Sequence, residues 1–254
     1  MIPVKQFGLS FLIIAAPFIG SYVATVLIRL NIYQTPGGSA RSRCLSCERK
    51  LNFFNMVPIF SFLLLKGKCP HCNSAIDPIY LGTESAFLIT TSLSVFMLWN
   101  SKFENFLITI ALAWTLVGLS IFDIQKKRLP DLVTVPLICT GLLQAYFLDY
   151  TGIIDSVIGA FSGAVLASFV AVVFYWLRKK IGLGWGDVKL ITAFGAWLGW
   201  HPLPWFILIA STKAILFLIF ERCHKKVDLN DAPVAFGPFL SLSGWGIWLS
   251  LINW

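Results

Sequence analysis

The sequence predicts an all-α membrane protein: a polytopic bundle of about eight transmembrane helices carrying one small zinc-binding loop domain. Composition points there first. Of 254 residues, 57% are apolar and 13% charged, against about 45–50% and about 25% in ordinary soluble domains. The mean hydropathy is +0.78. Apolar runs of spanning length then recur along the chain, and the cations gather in clusters between them. A soluble enzyme, a disordered chain and a disulfide-stapled mini-protein are excluded. The net charge of +8 would suggest nucleic acid in a soluble protein. Here its clustering reads as a topology signal, and no groove-reading motif accompanies it.

Taken in order, the first run is Phe7 to Ile28, 22 residues. That is longer than the roughly 7–15 residue core of a cleaved signal peptide, so it is expected to stay as the first helix. A polar segment, 29–80, follows. Further runs lie at 81–100, 103–122, 132–149, 153–177, 204–220 and 234–252, separated by short polar punctuation such as Asp149-Tyr150-Thr151-Gly152. A shorter run, 188–200, contains Gly195 and Gly199 and stops before His201-Pro202. It is either a short helix packed within the bundle or half of a broken one. With it counted as a crossing, 17 of the 20 cations fall on one side. These are Arg29, the loop set from Arg41 to Lys68, Lys126 to Arg128, Arg178 to Lys180, Lys189, Arg222, Lys225 and Lys226. The positive-inside rule then places both termini outside and loop 29–80 in the cytoplasm.

Within that loop, Cys44-Leu45-Ser46-Cys47 and Cys69-Pro70-His71-Cys72 are separated by 21 residues. Two such knuckles offer four thiolates, the ligand set of a closed tetrahedral zinc site with no open position, so the metal is expected to be structural. Two disulfides are the rival, disfavoured in a reducing compartment. His71 reads as a bystander, and Cys139 and Cys223 as packing residues. Between the knuckles, Phe53 to Leu65 is too apolar for an ordinary loop. It either lies on the membrane surface or packs against the helix bundle, or it forms a small core for the zinc knob.

Acids near a membrane are costly and carry functional weight. Asp123 closes one apolar run, and Asp187 opens the short one behind Gly182, Gly184 and Gly186. The expected topology puts both at the cytoplasmic boundary. Two carboxylates held together share a proton, one acting as base on water while the other polarises a peptide carbonyl. The glycines allow close approach of an extended substrate. The plainer alternatives are an N-cap role for Asp187 and a solvated helix end for Asp123. Asp131 reads as a cap for the next helix, and Glu84 as either a boundary residue or part of a polar site.

Together these residues resemble the bacterial type IV prepilin peptidases of the GxGD membrane aspartic protease class. The resemblance covers nearly the whole chain. It rests on Gly184-Trp185-Gly186-Asp187-Val188-Lys189, Phe122-Asp123 with Leu129-Pro130-Asp131, and the paired cysteine knuckles. Leu63 to Cys69, Phe194 to Trp200 and Phe236-Gly237-Pro238-Phe239-Leu240 extend it. It implies a bifunctional enzyme of the bacterial inner membrane. Such an enzyme cuts the basic leader from type IV prepilins or type II secretion pseudopilins, then N-methylates the new terminus with S-adenosylmethionine. By resemblance Asp123 and Asp187 are catalytic; Cys44, Cys47, Cys69 and Cys72 form the cluster; Glu84 is a candidate for the cofactor side. Gly184, Gly186 and Lys189 support the substrate or the site's backbone.

The implied organisation is a first helix (1–30), a methyltransferase-associated zinc loop (31–80) and a peptidase bundle (81–254). Substrate prepilin and membrane lipid are the expected partners, without nucleic acid; Glu48 and Asp77 are possible contacts for a basic leader. Two departures fall in the N-terminal part. Ile79-Tyr80-Leu81 stands where the family usually has Arg-Tyr-Pro, and Val23 to Arg29 replaces a usual asparagine-rich stretch. A peptidase without methylation is therefore one alternative, and a non-catalytic secretion scaffold is another.

Overall fold

The computed structural model describes residues 2–33, 43–44, 46–180, 182–225 and 235–253. Arg41 and Lys226 of the cation count lie outside them. The described residues are helical apart from loops and two isolated antiparallel bridges, Arg43 with Lys50 and Lys68 with Ala75. The helices are α1 (Ile2–Tyr33), α2 (Phe60–Leu64), α3 (Ile79–Met97), α4 (Phe103–Lys126), α5 (Asp131–Phe147), α6 (Ile153–Arg178), α7 (Trp185–Leu198), α8 (Leu203–Lys225) and α9 (Gly237–Asn253). Every apolar run read from the sequence is a helix. α1 overruns its apolar run at both ends, because hydropathy marks the lipid-matched part of a helix while the backbone pattern continues through polar turns.

Among the described residues, five helices are long and apolar enough to cross a membrane: α1, α3, α4, α6 and α8. α5 and α9 are shorter apolar helices of 17 residues. α7 has 14 residues, about 21 Å at 1.5 Å per residue, less than the roughly 30 Å hydrocarbon layer.

The chain forms two compact units, residues 1–114 and 115–254. In the first, α1 packs closely on α3: a Cβ on Gly20 would stand 3.1 Å from the Glu84 backbone and 3.2 Å from the Phe87 side chain. Phe87 stacks on Trp114 with 5.7 Å between ring centroids, and the Trp114 indole donates to Thr91 Oγ1 at 2.9 Å.

In the second unit α7 is the axis of the packing, with Val188, Leu190, Ile191 and every residue from Ala193 to Leu198 buried. It is therefore the packed short helix of the two sequence options. Buried all round, it needs neighbours that come close, and small residues supply them. Gly195 on α7 and Gly159 on α6 meet backbone to backbone. Gly163, one turn on, faces the Ile191 carbonyl, and Gly141 on α5 lies under Trp197. The Trp197 indole donates to the Leu137 carbonyl at 2.8 Å. Trp248 of α9 meets Trp197 edge to face at 4.9 Å, and Phe206 of α8 lies 4.8 Å from Phe194. The outer face of α6 instead exposes Phe161, Phe169 and Trp176, as a lipid-facing helix does.

Candidate functional site

The candidate catalytic centre lies in the second unit, where three chain segments bring polar groups together. Asp123 sits in the last turn of α4 and is 5% exposed. The helix ends just beyond it, with the Lys127 amide bonded to the Asp123 carbonyl at 2.7 Å and Lys127 at φ +52°. The Asp123 carboxylate accepts the buried Gly237 N–H at 2.9 Å, at the first residue of α9. A helix N-terminus presents unpaired amides, and the Asp123 carboxylate satisfies one of them. A Cβ at position 237 would lie 2.8 Å from Asp123 Oδ2, which leaves glycine as the residue that fits. We expect Gly237→Ala to push the carboxyl aside while the fold survives, since the obstacle is a movable side-chain end. A displacement near 1 Å at a catalytic group costs about 100-fold in rate; single-turnover cleavage together with an unchanged melting curve checks this.

Asp187 is the third residue of α7, behind Gly184 at the N-cap. It is half-buried, and its Oδ2 accepts the Gly184 N–H at 3.3 Å. The side chain thus serves the helix start from inside the first turn, not from the N-cap itself. Burial pushes the Asp187 carboxyl up to about 6, and the neighbouring Asp123 carboxylate pushes the same way. The two aspartates are therefore within electrostatic reach, although they come from different helices. Gly186 has a packing reason: a Cβ there would stand 2.9 Å from the Leu129 side chain and 3.1 Å from its backbone nitrogen. The glycine seats Leu129-Pro130-Asp131 against the start of α7.

Asp131 is not the cap expected of it. Pro130 holds the N-cap position of α5, with no side-chain cap bond, and Asp131 pairs with Lys189. Both partners are solvent-accessible, so the pair orients the α5 and α7 starts more than it stabilises them. Gly237 escaped notice as a site residue. Its signal was the glycine of Phe236-Gly237-Pro238 directly before an apolar helix.

The first unit holds the cysteines. Cys44, Cys47, Cys69 and Cys72 bring their Sγ atoms within 4.8 Å of one another, with 3.7 Å between Cys44 and Cys72. Four thiolates at 2.3 Å around a tetrahedral zinc stand about 3.8 Å apart, so the donor set fits that metal. The two knuckles repeat one backbone pattern. Cys44 N–H bonds the Arg49 carbonyl and Glu48 N–H the Cys44 carbonyl; Cys69 N–H bonds the Ser74 carbonyl and Asn73 N–H the Cys69 carbonyl. Glu48 and Asn73 take the left-handed turn at φ +55° and +56°.

The Cys47 and Ser46 amides help hold the Cys44 thiol down to about 6. The Arg49 amide pulls Cys47 down too, but desolvation and the other thiols outweigh it and push that thiol up to about 11. A cation entering the cluster would release the remaining protons. His71 is exposed and outside the cluster. Cys139 and Cys223 are exposed too, so they face outward from their helices instead of packing within.

Glu84 is buried in α3. Its Oε2 accepts the Ile59 N–H at 2.7 Å, and the Ser21 hydroxyl also bonds it. One turn away, Tyr80 bonds Thr25. Two residues of α1 thus meet two of α3, and Glu84 in addition ties down the loop. Asp77 Oδ1 accepts the Ile79 N–H at 2.9 Å, at the start of α3.

Comparison with known proteins finds matches along most of the chain. The family described as "Type IV leader peptidase family" matches residues 110–219, and "Bacterial Peptidase A24 N-terminal domain" matches 14–100. A prepilin leader peptidase/N-methyltransferase of Aeromonas salmonicida (strain A449) is 37% identical over 209 residues, covering 81% of this chain and 69% of that protein. One of the same name from Legionella pneumophila is 35% identical over 238 residues, covering 89% and 77%. A third, from Dichelobacter nodosus, is 36% identical over 210 residues, covering 80% and 69%. No solved structure matches the chain.

Proposed function

The chain belongs to the type IV leader peptidase family, and we propose that it cleaves prepilin leaders at Asp123 and Asp187 and then methylates the new N-terminus. The observation that carries the peptidase half is that these two acids, from different helices, lie within electrostatic reach of one another. Each is held by a backbone N–H, Gly237 for Asp123 and Gly184 for Asp187, and each rests at a helix N-terminus. We assign the role of base to Asp123, whose carboxylate accepts the Gly237 N–H. Asp187, with its carboxyl pushed up to about 6, holds the shared proton.

In that arrangement Asp123 removes a proton from water as the water attacks the scissile carbonyl. Asp187 gives its proton to the carbonyl oxygen, so the tetrahedral intermediate forms as a neutral diol. As the C–N bond breaks, Asp123 passes its proton to the departing amine and a diol hydroxyl returns its proton to Asp187, which restores the pair. The chemistry uses one proton held between two carboxyls, so its pH dependence has a definite sign. Protonated Asp187 declines as pH rises through about 6, and kcat/KM for cleavage is expected to fall on that alkaline side. A rate profile measured with detergent-solubilised enzyme checks this. A profile rising steadily from pH 6 to 9 would overturn the shared-proton mechanism.

S-adenosylmethionine, when bound, supplies the methyl group for the freed amine. The part of the chain proposed for this is the loop domain 31–80 with the first helix, while 81–254 forms the peptidase bundle. Glu84 supports that half by position, since it joins α1, α3 and the loop. Lys189 supports the peptidase half through Asp131. We place the protein in the bacterial inner membrane with the cysteine loop on the cytoplasmic side, where a prepilin's basic leader meets its apolar helix. Pseudopilins share that arrangement and are proposed as substrates too.

Mass spectrometry of a purified prepilin incubated with the protein and S-adenosylmethionine tests both activities at once. Loss of the leader plus the mass of one methyl substitution is expected, and cleavage alone would remove the methyltransferase half. Zinc at the four cysteines is proposed to be structural. Chelation is expected to open the loop to proteolysis and to impair methylation more than cleavage. Elemental analysis with parallel assays reads this. A direct rise in cleavage turnover on adding zinc to folded, metal-free protein would overturn it.

A further inference from the structure

We propose that the apolar ridge between the two cysteine knuckles is a lipid-docking surface, seated at the headgroup–acyl boundary beside the N-terminal end of α3. The sequence left open whether Phe53 to Leu65 forms a core for the zinc knob. The structure divides the segment: Pro58 is buried and Val57, Ile59, Phe62 and Leu65 are half-buried, while the remaining large apolar side chains face outward. Neither the short turn Phe53–Met56 nor α2 contains a buried residue. Phe54 is 84% exposed and Leu64 81%, with Phe53, Phe60 and Leu63 also exposed. Exposed aromatic and aliphatic side chains this dense mark an interaction surface.

Two observations choose the bilayer as its occupant. The first is depth. The ridge hangs from Ile59, whose amide is bonded to buried Glu84. Glu84 lies five residues into α3, about 7–8 Å along the axis at 1.5 Å per residue. α3 is one of the five spans. Interfacial helices ride about 5–10 Å into the headgroup–acyl boundary, so the tie fixes the ridge at that level. The second is charge. Arg49, Lys50, Lys66 and Lys68 flank the ridge in sequence and are exposed, against the exposed acids Glu48 and Asp77 of the same loop. Apolar side chains flanked by cations suit a surface of acyl chains under anionic phosphates. The inference rests on the membrane reading of α3 and not on the peptidase chemistry, so either can fail alone.

The test uses the full-length protein in nanodiscs, with a benzophenone amino acid placed in turn at positions 54, 64, 71 and 169. Irradiation is followed by mass spectrometry in discs of phosphatidylcholine alone or mixed with phosphatidylglycerol. Phospholipid adducts are expected at 54 and 64, as at lipid-facing Phe169, and not at His71. In mixed discs the phosphatidylglycerol adduct should exceed its share of the lipid. Adducts at 169 but not at 54 or 64 would overturn the proposal. So would crosslinks from 54 or 64 to a second copy of the chain, or to an added prepilin in place of lipid. Equal capture of both lipids in proportion to their amounts would remove the role given to the cations.

Discussion

Asp123→Asn and Asp187→Asn are each expected to abolish leader cleavage, by about 10³-fold or more, while leaving a folded protein that still binds zinc. The expectation follows from what an amide cannot do. Asn at position 123 still fills the space and accepts the Gly237 N–H, but it cannot take a proton from water. Asn at 187 can accept from Gly184 N–H and even donate to the scissile carbonyl, yet it carries no proton that can be shared. The two losses should not add, because either change removes the same cycle. The double variant should match the single ones. Methylation of a prepilin supplied without its leader should persist in all three, since the loop cysteines and Glu84 belong to the other unit. Single-turnover cleavage and methyl transfer, measured on one preparation, separate the activities. Substantial cleavage by either Asn variant would remove the two-aspartate mechanism altogether.

Much of this was legible in the chain, and what was not has physical causes. The helices were readable because a bilayer demands long apolar runs, and α7 stood out by failing that length. The proposed pair, Asp123 and Asp187, stands out in the sequence because acids are rare beside such runs. The four cysteines were readable because their spacing restates the geometry of a metal.

What escaped involves partners far apart in sequence. Gly186 looked like backbone freedom for a substrate, yet its Cβ space is filled by Leu129. Asp131 looked like a cap because caps are local; its actual partner, Lys189, lies 58 residues away. Glu84 reads equally as a boundary residue or part of a polar site, because nothing in a one-dimensional pattern marks the Ile59 amide as its partner. The apolar ridge was ambiguous for another reason: the same residues suit a small core or a membrane surface, and exposure alone decides.

The largest stability effect is expected at the crossing of α6 and α7. A Cβ on Gly195 would stand 2.2 Å from the Gly159 carbonyl oxygen and 2.5 Å from its carbon, and a Cβ on Gly159 would stand 2.3 Å from the Gly195 oxygen. These obstacles are backbone, so no rotamer change relieves them and the helices must separate. Overpacking of this kind costs about 3 kcal/mol or more. Gly195→Ala should therefore lower the thermal midpoint in detergent sharply, as should Gly159→Ala. Gly246→Ala is the control, because nothing lies within 4 Å of a Cβ there; it should be neutral or slightly stabilising through helix propensity. The consequence reaches the chemistry because Asp187 occupies the first turn of the displaced helix. Where Gly195→Ala remains folded at low temperature, cleavage should fall through kcat with zinc content unchanged. A Gly195→Ala protein with the parent's midpoint and turnover would mean that α7 is not held by this crossing, and that Asp187 owes its position to the Gly186–Leu129 contact alone.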